Sequence, residues 1–240
     1  MERGETVLLA SIAIFLLSSI LAYGKYGTTP VAENPTNGSN VTILAVDSAG
    51  KGVIGEASVT LTQGSGRILI GLDGSLVDEE AQASALTAAQ AAAEATGKSV
   101  AGYDITYAFH LPVDVAAGPS AGAALAAATA AALQGMSLRG YAAITGTIAS
   151  DGKIGASSAI RQKALAAMDN GIKVLLIPAH GGPDIDAYER TMQCDARPGS
   201  ETCSTDYIAD DETLSKELGI TIKAVSNLTE ALAYLVERIR

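Results

Sequence analysis

Residues 141–178 read YAAITGTIASDGKIGASSAIRQKALAAMDNGIKVLLIP. The apolar run over 141–148 predicts a strand, and Asp151-Gly152 a tight turn. A helix follows over 157–170, closed by Gly171, and a fully apolar strand over 172–178. Strand, helix and strand at this spacing form the unit of an α/β fold with a largely parallel sheet.

The alternation continues on both sides. Downstream, a helix is expected over 211–218, a strand over 220–225 and a last helix over 227–240. Asn227 followed by Glu230 gives that helix a capping-box start. Upstream, an Ala-rich helix over 120–134 ends at Gly135, behind a strand at 103–110. A helix over 78–96 has acids in its first turn and Gly97 after its end. The first strands, 41–46, 53–62 and 67–72, read as an antiparallel extension, the last two separated by Gly64-Ser65-Gly66. The fold class is therefore α/β, a mixed sheet with flanking helices, occupying residues 41–240.

Bulk properties narrow the function. Hydrophobic residues make up 48% of the chain and aromatics only 4%, so the core must pack through small side chains. The net charge is −10 with a pI near 4.6, and no run of Lys or Arg offsets it. Nucleic acid is excluded as a partner on that ground.

Two segments concentrate chemistry. Gly118-Pro119-Ser120-Ala121-Gly122 falls between a strand end and a helix start, where α/β folds expose functional groups. Gly118 allows a tight backbone path, Pro119 fixes the entry, and small Ala121 and Gly122 admit another chain. The helix N-terminus offers N–H groups to an oxyanion beside Ser120. Taken alone, the pentapeptide is as well explained by Ser120 as a helix cap. The second segment is the helix holding Ile160, Lys163, Ala164 and Ala167. A lysine turned toward such apolar neighbours loses solvation, its pKa falls from about 10.4, and it can serve as a base. A solvated lysine beside Arg161 is the plain alternative.

Together the two segments resemble the proteolytic domain of the Lon proteases. In that family the serine of G-P-S-A-G is the nucleophile and a lysine 43 positions later its partner; Ser120 and Lys163 have this separation. Gly118, Pro119, Ala121 and Gly122 match around the serine, and Thr145, Gly146, Gly152, Ile154 and Ile160 match ahead of the lysine. The resemblance covers residues 41–240, weakest at the start, and implies a Ser–Lys dyad endopeptidase in which Thr145 orients Lys163. No cofactor is expected, and no metal, since neither His110 nor His180 lies close in sequence to Cys194 and Cys203 and a zinc site wants four ligands. Peptides or unfolded proteins are the implied substrates, a strand within 103–110 or 59–72 holding them by β-addition. A homo-oligomer is compatible with it. Ala117 stands where many relatives have an acid, Thr147 where Glu is usual, and Ser158-Ala159 where a Gly pair is usual. The loop 112–120 is shorter than usual, and 194–203 reads as an insertion. No ATP-binding segment is expected: Thr96-Gly97-Lys98-Ser99 lacks the first glycine of a phosphate loop and ends a helix instead of starting one. The competing expectations are a silent Lon-fold scaffold and a module that cleaves only its own chain.

The N-terminus departs from the globular pattern. After a tail at 1–6, residues 7–23 (VLLASIAIFLLSSILAY) carry no charge and are expected to be a transmembrane anchor, or a signal peptide cleaved near Ala22-Tyr23-Gly24. Residues 24–40 read as a linker, with acceptor sequons at Asn37 and Asn40. Cys194 and Cys203 bracket a polar stretch and suit a local disulfide. These features place the domain outside the cytoplasm, on a single-pass anchor or secreted.

Overall fold

A computed structural model describes residues 37–72, 76–77, 79–112, 116–182, 187–197 and 200–237. The expected tail, the apolar segment 7–23 and the linker up to residue 36 lie outside the described residues. Among those described, no helix is long and apolar enough to cross a membrane.

The larger sheet holds β1 (Asn37–Val46), β2 (Gly52–Gln63), β3 (Ile68–Leu72) and β5 (Tyr103–His110), in the order β1-β2-β5-β3. β1, β2 and β5 pair antiparallel, whereas β3 runs parallel to β5. β2 and β3 therefore do not pair across Gly64-Ser65-Gly66, because β5 lies between them. The corner is held instead by Asp104, which accepts the N–H groups of Ser65 (2.9 Å) and Arg67 (3.1 Å) on one oxygen. Its other oxygen takes the Arg67 guanidinium. These bonds hold the Asp104 carboxyl well below the usual carboxylate range, the Arg67 side chain contributing most.

Two helices cover this sheet: α1 (Glu79–Thr96) and α2 (Gly122–Gln134). Ala85, Ala88, Ala89 and Ala92 of α1 fall on one helical face and are buried with α2 in the main core. Alanine contacts permit approach at the short end of the ~8–10 Å helix spacing, which is how a chain poor in aromatics fills its core. In α2 every residue from Gly122 to Leu133 is buried. Its one polar group there, Thr129, bonds Tyr107 of β5 (2.9 Å) and the Leu125 carbonyl (2.8 Å). Gly97 ends α1 in the left-handed conformation, and Lys98 reaches the Leu133 carbonyl.

A second, parallel sheet has the order β7-β10-β13, from Ala142–Ile144, Val174–Pro178 and Thr221–Val225. The expected single sheet is thus two. The strand expected over 141–148 is also split: β7 ends before Thr145, and β8 (Thr147–Ile148) pairs with β9 (Ile154–Gly155). Gly146, at φ +147, makes the break. Helix α3 (Ile160–Asp169) starts three residues later than expected and packs against β1 and β2. A Cβ on Gly52 would sit 1.9 Å from the Gln162 carbonyl oxygen, so that packing requires glycine.

Residues 194–197 and 200–203 are strand, where a polar loop is expected. β11 (Tyr188–Arg197) and β12 (Ser200–Ala209) form an antiparallel ribbon with Cys194 opposite Cys203 and their sulfurs 2.12 Å apart. Residues 189–195 are exposed throughout. Helix α4 (Asp211–Leu218) is capped by Asp210, and α5 (Leu228–Leu235) by Asn227, which accepts the Glu230 N–H at 3.0 Å. The short strands β4 (Leu76–Val77) and β6 (Ala116–Ala117) pair in parallel just ahead of Gly118.

Candidate active site

Ser120 occupies a single 3-10 turn, Pro119–Ala121, that leads into α2. Proline at the first position pre-sets the turn, and Ser84 of α1 bonds the Pro119 carbonyl at 3.4 Å. Gly122 lies against β8: a Cβ there would be 3.0 Å from Ile148 Cγ2 and 3.3 Å from its backbone nitrogen. Gly118 is different, being extended at φ −100 and ψ −178, with open space around it among the described residues. The tight path expected at Gly118 is not found.

Lys163 stands one turn into α3, where its N–H donates to the Ala159 carbonyl at 3.0 Å. The side chain is 2% exposed. Its Nζ is 2.8 Å from Ser120 Oγ, 2.8 Å from Ser157 Oγ and 3.2 Å from Thr145 Oγ1. The Thr145 and Ser157 hydroxyls are themselves 2.9 Å apart. Thr145 follows β7 directly, and its N–H bonds the Leu176 carbonyl of β10 at 3.1 Å, so its hydroxyl is carried by the parallel sheet. The expected serine, lysine and threonine thus meet at one point.

Ser157 carries no signal in the sequence beyond the start of a helix. Its separation of six from Lys163 carried no pattern, because the residue between them that sets the geometry is Ala159. At φ 53 and ψ 43, Ala159 is the one non-glycine residue with positive φ among those described. This is the position where a glycine would ordinarily stand.

The serine and lysine open onto a cavity of about 670 Å³. Its other walls include Ala45 and Val46 at the end of β1, Pro119, Thr147, Gln162 and Gly182. No histidine lines it among the described residues. His180 lies instead beside Asp206 on the ribbon, at 3.2 Å. No cluster of three or more His, Cys, Asp or Glu able to hold a metal occurs among the described residues. The N–H groups of Ala121, Gly122 and Ala123 are taken by the carbonyls of Gly118, Pro119 and Gly146, so these three amides are not free as expected for an oxyanion. β5 is an interior strand, so among the described residues β3 and β1 are the edges of the larger sheet.

A buried amine against a serine on the turn into a helix defines a lysine-paired serine site on an α/β fold. Residues 14–196 match the Lon protease (S16) C-terminal proteolytic domain, and the chain belongs to that family. It is 34% identical over 175 residues to the Lon protease of Paraburkholderia phytofirmans, covering 71% of this chain and 21% of that protein. With the Lon protease of Syntrophomonas wolfei it shares 34% over 174 residues, 70% of this chain and 21% of the relative. Lon protease 1 of Myxococcus xanthus is 34% identical over 167 residues, 67% and 20% of the two chains. The matched region spans about a fifth of the length of these curated relatives.

Proposed function

We propose that the chain is a serine endopeptidase of Lon type acting through Ser120 and Lys163. The observation that carries this reading is the 2.8 Å contact between Lys163 Nζ and Ser120 Oγ inside an open cavity. Withdrawal of an amine from water favours its neutral form. The neutral amine accepts the Ser120 proton, and the oxygen attacks the peptide carbonyl. The resulting ammonium then protonates the leaving amine, and an ester to Ser120 remains. Water, deprotonated by the same amine, releases the acid and restores the serine. Neither histidine is required.

The substrates are peptides and unfolded chains, cleaved without a nucleotide. The phosphate-loop lookalike at Thr96–Ser99 supports this second point: Gly97 there closes a helix, and Lys98 is spent on a carbonyl. A tightly folded protein opens only rarely, so a peptidase without a motor must wait for it. The apolar run 7–23 and the paired cysteines favour an anchored domain outside the cytoplasm.

The test is labelling by a fluorophosphonate probe together with cleavage of an unfolded casein chain, with and without ATP. Ser120→Ala and Lys163→Met should each lower turnover roughly 10,000-fold or more while the fold persists. A wild-type chain that neither labels nor cleaves would be a silent scaffold, and a strict ATP requirement would overturn the motor-free reading.

A further inference from the structure

We infer that Ser157 is a positioning residue for Lys163, sharing with Thr145 the task of aiming the amine at Ser120. The inference rests on the Ser120–Lys163 reading above and deepens it.

A neutral amine carries two hydrogens and one lone pair. For Lys163 to take the Ser120 proton, the lone pair must face Ser120 Oγ, and both hydrogens must point elsewhere. The cage around Nζ supplies the two acceptors that this orientation needs: Ser157 Oγ at 2.8 Å and Thr145 Oγ1 at 3.2 Å. Ser157 is the nearer. Once the amine holds the extra proton, the same three oxygens accept its three hydrogens. The cage therefore serves both ends of the transfer without rearrangement, which is what a preorganised site requires.

The two supporting hydroxyls act as a pair. They are 2.9 Å apart, whereas each lies 3.5 Å from the backbone carbonyl it can reach, Ser120 for Thr145 and Ser158 for Ser157. At 3.5 Å a hydrogen bond is nearly lost, so besides Lys163 the close partner of each hydroxyl is the other. Both residues are buried, Thr145 at 1% exposure and Ser157 at 6%, and solvent does not compete for them freely. Their backbones come from different directions, Thr145 from the end of β7 and Ser157 from the left-handed turn at Ala159. That turn also receives the Lys163 N–H, so one piece of backbone fixes both Ser157 and the lysine it holds.

The experiment measures kcat and KM separately on an unfolded peptide, in the full chain, for Ser157→Ala, Ser157→Thr, Ser157→Cys, Thr145→Val and Ser157→Ala/Thr145→Val. Thermal unfolding of each variant is the control for the fold. Ser157→Ala should lower kcat roughly tenfold to a hundredfold, the worth of one hydrogen bond to a charged group, with KM little changed. Ser157→Thr keeps the hydroxyl and should restore most of kcat, and Ser157→Cys should fall between. The double variant should lose less than the product of the two single losses, because the pair works as a unit. An unchanged kcat in Ser157→Ala, a loss confined to KM, or equal losses in Ser157→Ala and Ser157→Thr would overturn the inference while leaving the dyad standing. Cleavage that survives in Ser120→Ala would overturn the dyad reading itself.

Discussion

The N–H of Gly146 donates to the carbonyl of Ser120 at 2.8 Å, and the Gly146 carbonyl in turn accepts the N–H of Ala123. One residue therefore stitches the break after β7 both to the serine's turn and to the first turn of α2. Thr145, the neighbour of Gly146, is thereby held at a fixed distance from the serine that Lys163 also touches. Gly146 achieves this at φ +147, with no room for a side chain. A Cβ would lie 2.9 Å from Ile154 Cγ2, 3.0 Å from the Gly155 carbonyl oxygen and 3.1 Å from Pro178 Cγ. Gly146→Ala should destabilise the fold by about 2–4 kcal/mol, from backbone strain plus overpacking. Among molecules that remain folded, turnover should fall as well. Urea unfolding and peptide cleavage on the same preparation check both parts, and a variant of ordinary stability would contradict the geometry.

Ala159 invites the opposite change. A left-handed alanine costs about 1–2 kcal/mol, part of which glycine gives back through its greater freedom in the unfolded chain. Ala159→Gly should therefore raise stability by roughly 0.5–1 kcal/mol, read as a higher urea midpoint at unchanged slope. A lower midpoint would show that the alanine methyl is itself needed in the turn.

The corner at Asp104 should be visible in acid. Its folded pKa lies below the ordinary carboxylate value because Arg67 and two backbone N–H groups favour the charged form. The stabilisation is therefore fully present above about pH 4 and disappears as pH falls through the lowered folded value. Asp104→Asn should unfold at lower urea than wild type at pH 7, and the gap between the two should narrow steadily below pH 4. A constant gap from pH 7 to pH 2 would mean that the charge on Asp104 contributes nothing.

The Cys194–Cys203 bridge clamps a ribbon that has almost no core of its own. A two-stranded hairpin is marginal in water, so the bridge should matter locally and not globally. The intact mass should be two hydrogens below that of the reduced chain. Cys194→Ser/Cys203→Ser should expose 188–209 to limited proteolysis while the main unfolding transition moves by less than about 1 kcal/mol. Free thiols on protein taken from its native compartment would remove the case for an oxidising environment.

Much of this was legible in the sequence, for definite reasons. Gly97, Gly135, Gly171 and Gly219 each have positive φ within two residues of a helix end and mark the boundaries of four helices. Tyr103–His110 is a strand with the bounds expected of it. What escaped was non-local or lacked a burial signal. Insertion of β5 between β2 and β3 depends on Asp104 reaching back to Ser65 and Arg67, a contact across about forty residues that no local pattern reveals. The ribbon strands have no buried face along 189–195, so they show no alternation and read as loop. At the site, Ser120, Lys163 and Thr145 carried a motif, whereas Ser157 owes its place to a conformation that alanine does not advertise.

Complete burial of α2 from Gly122 to Leu133 has a further consequence. No face of that stretch meets solvent, so its amide hydrogens should exchange with deuterium only when the main core opens as a whole. Ser120 hangs from the end of what should be the slowest-exchanging stretch of the molecule.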